Sequence, residues 1–401
     1  MRHLLLTLAV LAMATAAVAD EAYVPRTTIG DVPRTYTHFM NAQEAALCRS
    51  NAAAGGVSAY FFNPAVIGAI EGVSGQATLR MNLKTRDYLP STAEDDLEAT
   101  DDSFLFSQAV AAKNSEMFAF GIGYSCPSYR RLEFSGTLDG NPYTAEFGGS
   151  LRFFELVGAA RIGSDGSGVI GAAVGIANLE ESAREKSPNQ FNRTSEMDGM
   201  SASLAIGMLY EIGERVTLGG GYRFGTKIDV DGEWHTENDD EITSGTTQTE
   251  PVAVLGASFT PVDMLTVYAT YMNEGWNKAS STFAPYYDID PEPRGGDEDE
   301  GERDEFSGAL STLALGAEAT TGEGRITVRV GYSMPVGTDL DNDDEPEYRE
   351  LVPEYAYGFG GTFRFNEYSV DLAFSGESYA DGDEGGVASN NGVYLTVGYD
   401  F

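Results

Sequence analysis

The chain has 401 residues, 42% hydrophobic and 22% charged, and its 62 acidic residues against 25 basic ones give a net charge of −37. That excess of acid excludes nucleic acid as a partner, because phosphate contacts require Lys and Arg in surplus. No apolar run of membrane-helix length follows the N-terminus, which excludes a helical membrane protein, whereas 47 glycines beside 21 Tyr and 21 Phe suit a chain of many half-exposed strands.

The first residues read as a leader. Met1-Arg2-His3 is a short basic start, Leu4 to Val10 begins an apolar core, and Ala17-Val18-Ala19 precedes Asp20. That layout predicts a secretory signal peptide over 1–19, removed on export. Two cysteines, Cys48 and Cys126, then face a compartment that permits disulfides. They are candidates for a bridge, and each equally suits a small buried hydrophobe.

Residues 20–71 do not alternate. They are rich in alanine (Ala42, Ala45, Ala46, Ala52 to Ala54, Ala59), predict a short helix near 41–54, and lead into Phe61-Phe62-Asn63-Pro64-Ala65. Small residues and the Gly55-Gly56 turn allow close approach to a wall, so this segment is expected to be a plug.

From residue 72 onward, period 2 dominates. In the last segment Val393, Leu395, Val397, Tyr399 and Phe401 alternate with Tyr394, Thr396, Gly398 and Asp400. Val216, Leu218, Gly220, Tyr222 and Phe224 alternate in the same way with Thr217, Gly219, Gly221 and Arg223. Such runs mean strands with one apolar and one polar face. About fourteen are predicted, near 72–83, 103–112, 117–125, 149–161, 169–179, 200–212, 215–230, 250–260, 263–274, 309–320, 324–333, 351–365, 367–376 and 391–401. Gaps after odd-numbered runs are long (84–102, 126–148, 275–308, 334–350), and gaps after even-numbered ones are tight, as at Gly213-Glu214 and Asn366. Long loops on one side and tight turns on the other predict an all-β fold over 72–401, an antiparallel transmembrane β-barrel of about 14 strands in a Gram-negative outer membrane. A secreted sandwich would not need runs of ten residues, whereas a tilted membrane strand needs roughly 9–11.

The acids cluster in the predicted loops, at Glu94–Asp102, Asp288–Glu305, Asp339–Glu347 and Asp381–Glu384. They read as solvated, self-repelling faces, with divalent cations bridging to lipopolysaccharide phosphates as the sharper alternative. Asp339, Asp341 and Asp343 have calcium-loop spacing, but Asp344 stands where the loop needs Gly, so no metal site is expected. No cofactor is expected either, nor catalysis. Once the leader is gone only His38 and His235 remain, neither beside a Ser in a recognisable motif.

The whole mature chain resembles the FadL-type outer-membrane transporters of long-chain fatty acids and other hydrophobic compounds. The likeness rests on Asn63-Pro64-Ala65 ahead of the first strand, on Phe118-Ala119-Phe120-Gly121-Ile122-Gly123-Tyr124 followed by Pro127, and on Gly207-Met208-Leu209-Tyr210, Gly221-Tyr222-Arg223, Gly331-Tyr332 and the terminal Gly398-Tyr399-Asp400-Phe401. It implies a 14-stranded barrel with an N-terminal hatch in the lumen and passive uptake of a hydrophobic small molecule. Capture in an apolar groove, transfer to a pocket beside the hatch and lateral exit at the third strand would follow. Phe61, Phe62, Asn63, Pro64 and Ala65 are then hatch-motif and pocket candidates, and Pro127 is the lateral-opening candidate, since a Pro cannot donate to the ladder. A Cys48–Cys126 bridge would tie the hatch to that third strand. The expected partners are the hydrophobic molecule, outer-membrane lipids and lipopolysaccharide, with the barrel a monomer. PorV-like barrels look similar at the Asn-Pro-Ala stretch, so a docking barrel without small-molecule transport stays open as the alternative.

Overall fold

The structure, a computed structural model of the chain, describes residues 39–400 except 71, 83–86, 89–96, 101–103, 116, 139–140, 164–165, 188–190, 236–239, 276–279, 282–303, 306–308, 322–323, 339–352 and 381–386. The leader, His38 and most of the acidic runs fall outside the described residues.

Fourteen antiparallel strands form the wall. They are β1 (Val73–Asn82), β2 (Phe104–Ser115), β3 (Phe118–Leu138), β4 (Asn141–Ile162), β5 (Gly168–Ser187), β6 (Phe191–Ile212), β7 (Val216–Arg223, resuming at Lys227–His235), β8 (Asp240–Gln248, resuming at Val252–Val262), β9 (Leu265–Glu274), β10 (Leu310–Thr320), β11 (Ile326–Thr338), β12 (Pro353–Phe365), β13 (Tyr368–Ala380) and β14 (Val387–Asp400). Each pairs with the next, and β14 returns to β1 from Ser74↔Asp400 to Asn82↔Gly392, so the sheet closes and no long edge is left.

The faces sort as the alternation requires. On β14, Val397 is 49% exposed whereas its neighbour Thr396 is 2%. On β4 to β6 the outward Phe154, Leu156, Ile170, Val174, Ile176, Met200 and Met208 form an apolar belt. Such a belt suits lipid, because exposing so much contiguous apolar surface to water is unfavourable. Tight turns join the even strands to the next odd ones, with Gly213 (φ 62) and Asn366 (φ 53) taking the left-handed conformations these turns require.

The expected strand and loop lengths are corrected. The predicted loop over 126–148 is strand almost throughout, because β3 runs to Leu138 and β4 starts at Asn141. β5 and β6 likewise extend far past the predicted 179 and 200. These four strands have 20 to 22 residues. At ~3.3 Å per residue that is about 70 Å, roughly twice what a crossing needs. The extensions carry polar side chains such as Arg131, bridged to Glu133 (3.1 Å) and Glu146 (3.0 Å). They keep one buried face, at Tyr143, Ala145, Ala183 and Met197, but their outward face is polar, so the apolar stripe that marks the crossing segments is missing.

The segment from Phe39 to Ile70 packs against the inward side of the wall. Its helix α1 (Ala42–Leu47) lies on β11 to β14, and a short 3-10 turn over Pro64–Ala69 lies on β4 to β6. The helix expected over 41–54 stops at Leu47 because Cys48 (φ 48) and Arg49 (φ 63) turn left-handed, their N–H groups reaching back to Ala45 and Glu44. That reversal lets Arg49 Nε reach Glu44 Oε1 at 2.9 Å. Wall glycines admit the segment's backbone: a Cβ on Gly358 would stand 1.9 Å from the Ala45 carbonyl oxygen, and one on Gly221 2.0 Å from that of Phe62.

Candidate functional site

The segment is stitched to the wall by buried polar side chains. Asn63 is fully buried and caps the 3-10 turn, its Oδ1 accepting from Ala65 N at 3.1 Å while Pro64 fills the next position. Its Nδ2 donates to the carbonyls of Ala53 (2.6 Å) and Met208 (3.0 Å). Ala65 lies against Gly171 and Pro64 against Gly207. Phe61 and Phe62 face another way. They join Met40, Leu151, Phe153, Leu179, Ile228, Val254 and Met272 in one apolar cluster, with edge-on ring contacts of 5.3 Å to each other and 5.2 Å from Phe61 to Phe153.

Beside that cluster stands a buried ion pair that sequence reasoning did not single out. Arg223, on β7, meets Glu155, on β4, through Nη1–Oε1 (2.8 Å) and Nη2–Oε2 (3.0 Å). It also donates from Nε (3.1 Å) and Nη2 (2.8 Å) to the Phe61 carbonyl, and its guanidinium lies 3.6 Å from the Phe61 ring centre. One arginine thus clamps the segment at the residue that leads into its apolar cluster. The signal available was that Glu155 interrupts the apolar run of β4 and Arg223 lies in the polar phase of β7; a charge mid-strand must face the lumen.

The ladder between β2 and β3 is short. Their ladder runs from Ser115↔Phe118 to Gln108↔Ser125 and stops, although β2 continues on β1 to Phe104. β3 continues on β4, but the register slips by one residue between Ser125 and Ser128, so Cys126 and Pro127 share one place in a bulge. β3 regains a partner on that side only at Glu133, against a short strand at Leu97–Thr100. The segment holds both lips. On the β2 side Ser107 Oγ donates to Met40 O (2.7 Å), and Gln108 bonds Ser58 O (3.2 Å) and Asn41 (3.0 Å); on the β3 side Ser125 Oγ meets Tyr60 OH at 2.7 Å. Outside, Phe106, Tyr124 and Phe154 form a row with centroids 5.4 and 5.1 Å apart. The row borders an apolar hollow of about 970 Å³ lined by Ala109, Ala111, Ile122, Leu156, Val174 and Ile176. The β11–β12 ladder also ends early, at Ser333↔Ala356.

The two cysteines do not pair. Both are free and buried. Cys48 packs with Phe39, Ala356, Ala373 and Tyr394, whereas Cys126 sits in the bulge and donates to Ser128 O at 3.3 Å. Burial raises the Cys48 thiol above its ordinary range. It also raises the Glu44 carboxyl, against the opposing pull of the Arg49 charge and hydrogen bond. The lumen toward the tight turns is polar, with Arg329 joining Glu318 (3.0 Å) and Asp371 (3.2 Å). Among the described residues no cluster of metal-ligating side chains occurs.

No family model and no curated protein matches the chain. Solved structures do. A Pseudomonas aeruginosa FadL homologue shares the fold at a TM-score of 0.65 and 15% identity, over 92% of this chain and 100% of its own. The Ralstonia pickettii toluene transporter TbuX follows at 0.63 and 14% (91% and 99%). The P. putida toluene transporter TodX gives 0.55 and 12% (92% and 99%). This chain therefore has the architecture of FadL-type channels, over nearly its whole length.

Proposed function

We propose that the protein is an outer-membrane channel for the passive uptake of hydrophobic small molecules, with residues 39–70 acting as a hatch. The observation that carries the reading is the coincidence of the early end of the β2–β3 ladder with the segment's hydrogen bonds to both lips. An apolar molecule entering the cluster around Phe61 and Phe62 must displace ring contacts next to the Arg223 clamp. The lips at Ser107, Gln108 and Ser125 are held by the same segment, so displacement loosens them together. The polar lumen toward the tight turns repels such a molecule. The bulge at Pro127 and the apolar hollow outside it offer a route into lipid instead. The solved neighbours named for FadL and for toluene transport support this reading at the level of fold.

The test is mass spectrometry of lipophilic material retained by the purified barrel after exposure to palmitate, hexadecanol and toluene. Retention of at least one in about equimolar amount supports a channel. Failure to retain any, with a stoichiometric protein partner co-purifying instead, would make the protein a docking barrel.

A further inference from the structure

The wall has a second seam of the same construction as the one between β2 and β3. The β11–β12 ladder ends at Ser333↔Ala356, although β11 continues on β10 to Thr338 and β12 continues on β13 to Pro353. Each lip carries a bulge against its outer neighbour. Val336 is the extra residue between Pro335 and Gly337 on β11, and Glu354 the extra one between Pro353 and Tyr355 on β12. The β2–β3 seam is built alike, with Ser107 extra on β2 and the Cys126-Pro127 bulge on β3. Of the five register slips in the described ladders, four flank these two seams, and the fifth lies beside the tight turn after β8. The heights agree too, since Cys126 and Met334 stand equally far along β3 and β11, which start at Phe118 and Ile326. Both positions fall within the roughly 9–11 residues of a tilted crossing.

The N-terminal segment closes this seam as it closes the other. Behind the lips at Met334, Pro335 and Tyr355 lies a cavity of about 20 Å³, room for about one water, bounded by Phe39, Cys48 and Arg49. Phe39 precedes Met40, whose carbonyl accepts from Ser107 on the β2 lip at 2.7 Å, so a shift of these two neighbours reaches both seams. Outside, Tyr332, Tyr355 and Tyr357 form a row with centroids 6.1 and 6.5 Å apart, the counterpart of the row at Phe106. The lining of the second cavity is acidic. Glu274 and Glu377, both buried, border it, and the cation beside them is Arg49, whose Nε is 2.9 Å from Glu44. An anion entering there meets an excess of carboxylate away from bulk water, whereas an uncharged molecule meets no such repulsion.

We propose that the β11–β12 seam is a second lateral passage, shut by the hatch, that admits uncharged hydrophobic molecules and excludes anions. This rests on the channel reading and adds a route to it. Withdrawal of Phe39 and Cys48 enlarges the cavity behind lips that share no ladder beyond Ser333↔Ala356, so parting them there breaks no strand pairing. A molecule with a carboxylate head is confined to the β2–β3 seam; one with a hydroxyl head has both.

The experiment follows uptake of radiolabelled palmitate and hexadecanol, above an empty-vector background, by cells carrying equal surface amounts of the parent, a Pro127 deletion, a Val336 deletion and the double deletion. Deleting Val336 lets β11 keep register with β10 beyond Pro335, as deleting Pro127 does for β3 on β4. The Pro127 deletion is expected to stop palmitate uptake and keep part of the hexadecanol uptake. The Val336 deletion should spare palmitate and lower hexadecanol, and the double deletion should bring both to background. The heat-dependent gel shift reports folding. If the Val336 deletion does not fold, Met334→Cys with Tyr355→Cys replaces it in a chain carrying Cys48→Ser and Cys126→Ser; that pair is the next rung after Ser333↔Ala356, and a short bis-maleimide closes the seam. Hexadecanol uptake at background in the Pro127 deletion alone overturns the second passage while leaving the channel intact, as does hexadecanol uptake that closing the β11–β12 seam leaves unchanged. Uptake of both probes by the parent at background overturns channel and passage together.

Discussion

Replacing Arg223 by Met is the perturbation whose size the structure lets one work out. The substitution keeps most of the apolar stem but removes both contacts to Glu155 and both hydrogen bonds to the Phe61 carbonyl. Glu155, whose side chain is fully buried, is left with Ser203 Oγ at 3.3 Å. Stranding one member of a buried pair costs about 3–5 kcal/mol. Release of the segment from the wall would hydrate Glu155, so the cost falls on the closed state and favours opening. At 1.4 kcal/mol per decade, as a rough conversion, the open population rises by about two to nearly four orders of magnitude. Cys48 reports it, being free, buried and part of the segment. In a Cys126→Ser background, the rate of maleimide labelling of Cys48 in Arg223→Met should rise by that factor. Adding Glu155→Gln removes the stranded charge and should recover more than half of the loss. An unchanged labelling rate in Arg223→Met, or a double variant as loose as the sum of the two singles, would refute the clamp.

Gly358→Val should lower the temperature of the folded-to-unfolded gel shift or prevent folding, since its Cβ would meet the Ala45 carbonyl oxygen at 1.9 Å. Gly158→Ala, with nothing within 4 Å, should change stability by less than about 0.5 kcal/mol. Asn63→Asp removes the donor to Ala53 and Met208 and buries a charge, so denaturant titration should show a loss of more than about 2 kcal/mol, larger than for Asn63→Ala. On the belt, Leu156→Arg should cost about 2–4 kcal/mol in a bilayer, whereas Thr144→Arg on the β4 extension should be near neutral. The parent should migrate identically on reducing and non-reducing gels; a difference would show that Cys48 and Cys126 pair after all.

The membrane-crossing halves of the strands were legible because a wall with lipid outside and polar contacts inside writes a period of two into Val393–Tyr399 or Val216–Arg223. The upper halves of β3 to β6 were not. Their inward face is still buried at Tyr143, Ala145, Ala183 and Met197, but the outward face carries charges such as Arg131 and Glu133 where a lipid-facing strand carries apolar residues, so the pattern that marks a crossing strand is lost. The Asn-Pro-Ala stretch marked where the non-alternating segment meets the barrel, but not that its Asn63 caps a 3-10 turn and reaches Ala53 and Met208, which lie 10 and 145 residues away. The Arg223–Glu155 pair spans 68 residues and two different strands. Each charge is visible in its own strand, but their meeting depends on the registers of β4 to β7, which no local pattern encodes. The same holds for the cysteines: a separation along the chain says nothing about which side of the lumen each occupies.

On the proposed route, cargo leaves sideways where β2 and β3 part. Deleting Pro127 removes the one extra residue between Ser125 and Ser128 and lets β3 keep register with β4. Uptake of radiolabelled palmitate by cells carrying equal surface amounts of either protein measures the consequence. The expected result is that the deletion stops uptake while the purified variant still retains the ligand; uptake at the parental rate would contradict the claim.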